Sequence, residues 1–304
     1  KLWAMKEDSP ALLMDPATME SEDFATWDGT MRSQTFTAHP KIDPATGNMV
    51  AIGYAASGLC TDDVSYMEIG PDGSLVREVW FKVPYYCMMH DFGITEDYLL
   101  VHIVPSIGSW DRLEKGLPHF GFDTTMPVYL GVIPRRDDVA DADIRWFKRG
   151  NCFASHVVNA WQDGTKIHFL IPESKNNFFP FFPDVHGAPF KPEESVTHIT
   201  DWVVDMASNG DEFAEINRLT DTFSEFPRID DRFTGRKTRY TWGLEVDFRR
   251  PIEAVGGSAG GAPMNCLFLK DLESGAEQHW WAGPTSTLQE PCFIPRTADA
   301  AEGD

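Results

Sequence analysis

Short β-strands joined by polar turns predict an all-β fold, with a β-propeller of degenerate blades fitting best. Three observations carry this prediction. Hairpin signatures recur along all 304 residues, convincing helices are scarce, and no Ser/Gly-rich or charged linker divides the chain. Hairpins at this spacing allow a barrel, a sandwich or a propeller. Repeats with recognisable sequence identity are lacking, which disfavours WD40 or kelch arrays.

The elements follow in order. The turn Asp43-Pro-Ala-Thr-Gly47 predicts a strand over Met49–Tyr54, and Gly70-Pro-Asp-Gly73 predicts another from Ser74 to Val83. Thr95-Glu-Asp97 introduces a β-rich run from Tyr98 to Val104; Gln162-Asp-Gly164 introduces Lys166 to Ile171; Glu273-Ser-Gly275 introduces Ala276 to Trp281. Each pairs a turn of fixed chemistry with apolar or β-branched residues. Pro192 to Asp205 is the best helix candidate, since Glu193, Glu194 and Ser195 suit a first turn; its Thr, Ile and Val residues read equally as strand. Phe178-Phe-Pro-Phe-Phe-Pro-Asp184 is an apolar, proline-broken loop. Gly256-Gly-Ser-Ala-Gly-Gly261 reads as a flexible loop tip within one domain.

Composition narrows the function. The chain has 47 acidic and 26 basic residues, a net charge of −21, with 42% hydrophobic and 12% aromatic residues. That content supplies a packed core and excludes a disordered chain. The negative charge argues against nucleic acid as a partner. No run approaches the ~20 apolar residues that span a bilayer. The five cysteines are scattered without a CxxC pair, so a disulfide framework or zinc ribbon is not expected, and a reducing cytoplasm is.

Three of the nine histidines share a context. His39, His90 and His156 each lie in an apolar, β-like segment directly upstream of a hairpin, separated by 51 and 66 residues. A propeller blade takes about 40–50 residues, more with insertions, so this spacing puts one histidine on each of three successive blades. Innermost strands would bring their imidazoles together on the axis, where neutral nitrogen ligands suit iron, copper or zinc. The ordinary alternative for each is a core histidine bonded to backbone. Histidine ligands need their second nitrogen held, usually by a carboxylate. Glu7, Glu225 and Glu290 stand in apolar surroundings that make them candidates; strand-edge surface positions are the alternative.

Five motifs, in order along essentially the entire chain, carry a family resemblance. They are Thr37-Ala-His-Pro-Lys-Ile-Asp-Pro-Ala-Thr-Gly47, Met89-His-Asp-Phe-Gly-Ile-Thr-Glu96, His156-Val-Val-Asn-Ala-Trp-Gln-Asp-Gly164, Glu225-Phe-Pro-Arg-Ile-Asp230 and Glu290-Pro-Cys-Phe-Ile-Pro295. The sequence resembles the carotenoid cleavage oxygenases. The resemblance implies a seven-bladed β-propeller with non-haem iron (Fe2+) on its axis and dioxygen (O2) as co-substrate. By motif, His39, His90 and His156 become iron ligands, with Glu7, Glu225 and Glu290 behind the ligand set. The family's fourth histidine and its opening blade have no counterpart here. Residues 1–304 are therefore expected to be one incomplete propeller domain, cut at both ends, that binds iron poorly as an isolated polypeptide.

Lys6, immediately before Glu7, is similar to a lysine of the branch that cleaves phenolic stilbenes such as lignostilbene and resveratrol. There it contacts the substrate's 4-hydroxyl. An ammonium beside a phenol favours phenolate, whose electrons activate the alkene. Strand alternation opposes this, because neighbours face opposite ways and Lys6 and Glu7 cannot both point inward without a twist or bulge. Phe179 is a candidate apolar wall for an aromatic substrate, with packing between blades as the alternative. The implied reaction is oxidative cleavage of a small aromatic alkene to two aldehydes. An apocarotenoid-cleaving relative and a catalytically dead scaffold are the alternatives.

Overall fold

Turn chemistry sets the strands where the sequence places them. In the computed structural model, which describes residues 2–253 and 264–304, Gly73 and Gly164 take φ values of 84° and 60°. Those left-handed conformations close hairpins between Asp63–Ile69 and Leu75–Lys82, and between Asn159–Asp163 and Lys166–Ser174. The Gly256–Gly261 tip lies outside the described residues.

The strands form consecutive antiparallel meanders. Leu2–Ala4, Leu12–Met14 and Ser21–Phe24 make the first sheet; Lys41–Ile42, Met49–Tyr54, Asp63–Ile69 and Leu75–Lys82 make the second. Gly93–Ile94, Tyr98–Ile103, Val128–Pro134 and Arg145–Arg149 follow as the third. The fourth carries Phe153–Ala154 and Asn159–Asp163 beside Lys166–Ser174, then His198–Asp205 and Glu215–Arg218. Glu225–Arg228, Tyr240–Glu245, Cys266–Asp271 and Glu277–Trp281 complete the fifth. A ribbon of Ser106–Gly108 and Phe120–Phe122 flanks the helix Trp110–Glu114.

Apolar layers sit between successive sheets. Val50, Ile52, Tyr66 and Phe81 pack on Phe92, Leu99 and Val101. Leu100, Leu130 and Phe147 pack on Phe169, Ile171 and Trp202. Leu170 and Ile199 meet Ile229 and Phe268. Both faces of the central strands are therefore buried, which explains their near-continuous apolar runs.

The segment from Pro192 to Asp205 resolves its ambiguity in favour of strand. Only Pro192–Glu194 turns, as a single 3-10 turn, and His198–Asp205 then runs extended. Its β-branched residues are buried between two sheets, where packing outweighs the helical first-turn signal. Phe178 to Asp184 is irregular, as its prolines require. No helix among the described residues is long and apolar enough to cross a membrane.

Candidate metal centre

Each of the three histidines lies where the chain enters its sheet, His39 and His90 before the first strand and His156 just after a two-residue first strand. His39 precedes Lys41–Ile42, His90 precedes Gly93–Ile94, and His156 lies between Phe153–Ala154 and Asn159–Asp163. Because the sheets pack face to face, these entrances converge. The Nε2 atoms of His39 and His90 are 2.9 Å apart, and those of His90 and His156 are 3.0 Å apart. The rings meet edge to face at 71–79°, aiming one nitrogen of each toward a shared point. Their ligand atoms all lie within 4.8 Å of one another, an arrangement that can hold a metal ion.

The opposite ring nitrogens are taken. His90 Nδ1 meets the Glu7 carboxylate, which also accepts the Tyr54 hydroxyl at 3.0 Å. His156 Nδ1 donates to Glu225 Oε2 at 2.6 Å. Both bonds place the proton on Nδ1 and leave Nε2 free to ligate. Burial pushes His39 down to about 4; the Asp91 charge opposes that, and the neighbouring imidazoles reinforce it. Burial likewise opposes protonation of His156, but Glu225 outweighs it and raises that imidazole. His39 is thus neutral, as a ligand must be.

Glu290 stands apart from the histidines' hydrogen bonds. Its Oε1 accepts from Arg228 at 3.2 Å, and it lines a cavity of about 330 Å³ together with Met5, His39 and His156. A second cavity, about 510 Å³, is lined by Glu7, Asp8, Tyr54, Tyr86, His119 and Phe120. Lys6 is exposed and bonds Asp8 at 2.8 Å, while Glu7 is half-buried beside His90. Both residues lie past the first strand, which ends at Ala4, and Glu7 opens a turn, so the turn rather than strand alternation separates their directions. The Lys6 ammonium sits beside a carboxylate that borders the larger cavity. Phe179 packs on Phe153 and Phe182, with ring centroids 5.7 and 5.5 Å away, and Phe182 in turn packs on Phe120.

Three contributors escape sequence reasoning. Tyr54 shares Glu7 with His90. Phe226 packs on His156 with ring centroids 4.9 Å apart and the rings tilted by 38°, at φ of 47° and at a register shift in the strand that Glu225 opens. Its apolar–acidic neighbours gave no spacing signal for that strain. Asp91 is buried next to His90; burial raises its carboxyl, but the Lys41 ammonium overcomes this and holds it at about 2.

The family described as retinal pigment epithelial membrane protein matches residues 1–304. Lignostilbene-alpha,beta-dioxygenase isozyme III of Sphingomonas paucimobilis is 55% identical over 305 residues, covering 100% of this chain and 62% of the relative. Isoeugenol monooxygenase of Pseudomonas nitroreducens is 39% identical over 304 residues, covering 100% and 63%. The crystal structure of Pseudomonas brassicacearum lignostilbene dioxygenase superposes with a TM-score of 0.92 at 39% identity, over 99% of this chain and 62% of that one. The chain thus spans about three fifths of the length of these relatives.

Proposed function

The chain belongs to the retinal pigment epithelial membrane protein family, the carotenoid cleavage oxygenases that its motifs resemble, and on that premise we propose that it serves an Fe2+-dependent dioxygenase cleaving the central C=C bond of phenolic stilbenes. The observation that carries this reading is the convergence of His39, His90 and His156 through Nε2, with two of the Nδ1 atoms on carboxylates. Three imidazole nitrogens, without a carboxylate among them, fit a borderline divalent ion such as iron better than magnesium or calcium. The same proposal makes residues 1–304 part of a single seven-bladed propeller domain; the face-to-face packing of successive meanders supports it. A cytoplasmic setting agrees with five cysteines that carry no disulfide.

Bound there, iron would supply activation of dioxygen. The protein's residues do the rest. Glu7 and Glu225 fix the tautomer and direction of His90 and His156. Glu290 completes the carboxylate set, from its place beside His39 and His156 on the smaller cavity. Lys6, released from Asp8, meets the 4-hydroxyl of a stilbene in the adjoining cavity and favours its phenolate, which delivers electron density to the alkene. Phe179 supports an apolar wall through Phe182 and Phe120. Cleavage of a 4-hydroxystilbene then gives two aromatic aldehydes.

Product analysis of the full-length protein tests this. A 4-hydroxystilbene should yield both aldehydes, His156→Ala should abolish them, and Lys6→Met should suppress the hydroxylated substrate far more than an apocarotenoid. Aldehyde formation by His156→Ala, or preference for apocarotenoids, overturns the assignment.

A further inference from the structure

We propose that Asp91 is a positioning residue for the metal centre, one buried carboxylate that ties together all three histidine-bearing segments. The proposal rests on reading His39, His90 and His156 as metal ligands. Asp91 is the residue after His90 and is 2% exposed. Its Oδ2 accepts the backbone N–H of Val157, the residue after His156, at 2.7 Å. Its Oδ1 accepts Lys41 Nζ at 2.7 Å, and Lys41 lies two residues after His39. Oδ1 also accepts the N–H of Phe92 at 2.8 Å, which fixes the carboxylate on its own segment.

A buried carboxylate is costly unless every lone pair is engaged. Here the engagements run to the His39 segment, the His90 segment and the His156 segment. These segments belong to three different sheets, and no backbone ladder joins one first strand to the next. Glu7 and Glu225 orient rings, whereas Asp91 sets the spacing between the backbones that carry them. Lys41 is held in turn by the Phe92 ring, 5.7 Å from Nζ, so the tether has little slack. Removing the carboxylate frees the His156 backbone from the His90 backbone. Ligand nitrogens that now meet within about 3 Å would then sample a wider, less regular set of positions.

Cobalt(II) is the probe, because its visible absorption reports coordination geometry without turnover. Full-length wild type, Asp91→Ala, Asp91→Asn and Lys41→Met are titrated with Co2+, with His156→Ala as the ligand-loss control. Outer partners of metal ligands typically contribute about 10–100-fold in affinity; Asp91→Ala is expected to weaken Co2+ binding about 10-fold or more and to shift the band of the saturated protein. Asp91→Asn, whose amide oxygen can still accept from Val157, should recover part of both. The band at saturation reads only metal-loaded molecules, so a mere loss of stability would leave it unmoved. If Asp91→Ala does not fold, Asp91→Asn and Lys41→Met carry the comparison, each expected to shift the band. An unchanged band and affinity in the folded variants overturns the proposal. Wild type binding no Co2+, or binding it equally after His156→Ala, overturns the metal reading and this proposal with it.

Discussion

Glu225→Ala removes the hydrogen bond that fixes His156, and its effect can be worked out from the contacts. Glu225 is 2% exposed, and one oxygen accepts both His156 Nδ1 and the Phe226 N–H, each at 2.6 Å. A bond from a neutral donor to a buried carboxylate contributes about 1.5–3 kcal/mol. Since about 1.4 kcal/mol is tenfold in an equilibrium constant, loss of that bond predicts a 10–100-fold fall in divalent metal affinity. The Phe226 N–H loses its acceptor too, and with it the anchor of a residue at φ of 47° whose ring packs against the imidazole. Stability should therefore fall by a further ~1–3 kcal/mol. Glu225→Gln keeps an acceptor but loses the charge, so it should cost roughly half as much, since neutral bonds are about half as strong. Isothermal titration with Co2+ and urea unfolding of the full-length protein measure both quantities. Affinity within threefold of wild type in Glu225→Ala would refute the orienting role.

Other perturbations follow from packing and charge. Trp202→Ala, at a fully buried site between two sheets, should cost about 3–5 kcal/mol in urea unfolding; a loss under 1 kcal/mol would mean the layer collapses to fill the space. A Cβ at Gly131 would lie 2.4 Å from the Trp146 ring, so Gly131→Ala should destabilise by about 1–3 kcal/mol through overpacking. A neutral or stabilising result would show that Trp146 moves freely. Asp43 and Glu68, 2.7 and 2.9 Å from Arg135, should make stability fall in acid. Burial raises both carboxyls, but for Glu68 the Tyr66 hydroxyl and the Arg135 charge, and for Asp43 the Ala45 N–H and Arg135, hold them below the ordinary value. Depressed carboxyls contribute fully above about pH 4 and lose that contribution as pH falls through their folded values. Urea midpoints between about pH 6 and 3 should drop steeply in wild type and less steeply in Arg135→Met; equal slopes would remove Arg135 from the account.

The clustered histidines were legible because their context repeats: an apolar segment, a histidine, then a hairpin. That regularity in sequence becomes convergence in space once successive sheets stack. Glu7 and Glu225 were legible as carboxylates among apolar neighbours. Glu290 has the same signature yet bonds Arg228, because an apolar setting signals burial and does not name a partner. Tyr54, Phe226 and Asp91 were not legible, since each acts through a contact to a distant segment that no spacing rule encodes. Strand alternation opposed Lys6 and Glu7 both pointing inward; the structure separates them too, Glu7 toward His90 and Lys6 toward Asp8, but by a turn that begins at Glu7 after the strand has ended at Ala4. Between Pro192 and Asp205 an acidic first turn and β-branched residues left helix and strand equally open, and burial between two sheets settled on strand after one 3-10 turn. Local propensity there yields to packing.

Anomalous diffraction at the iron edge, from crystals of the full-length protein loaded with Fe2+, tests the central claim most directly. One strong peak bonded to the Nε2 atoms of His39, His90 and His156, at ordinary iron–nitrogen distances, is the predicted result. No peak at those three nitrogens, with iron bound elsewhere or not at all, would contradict it.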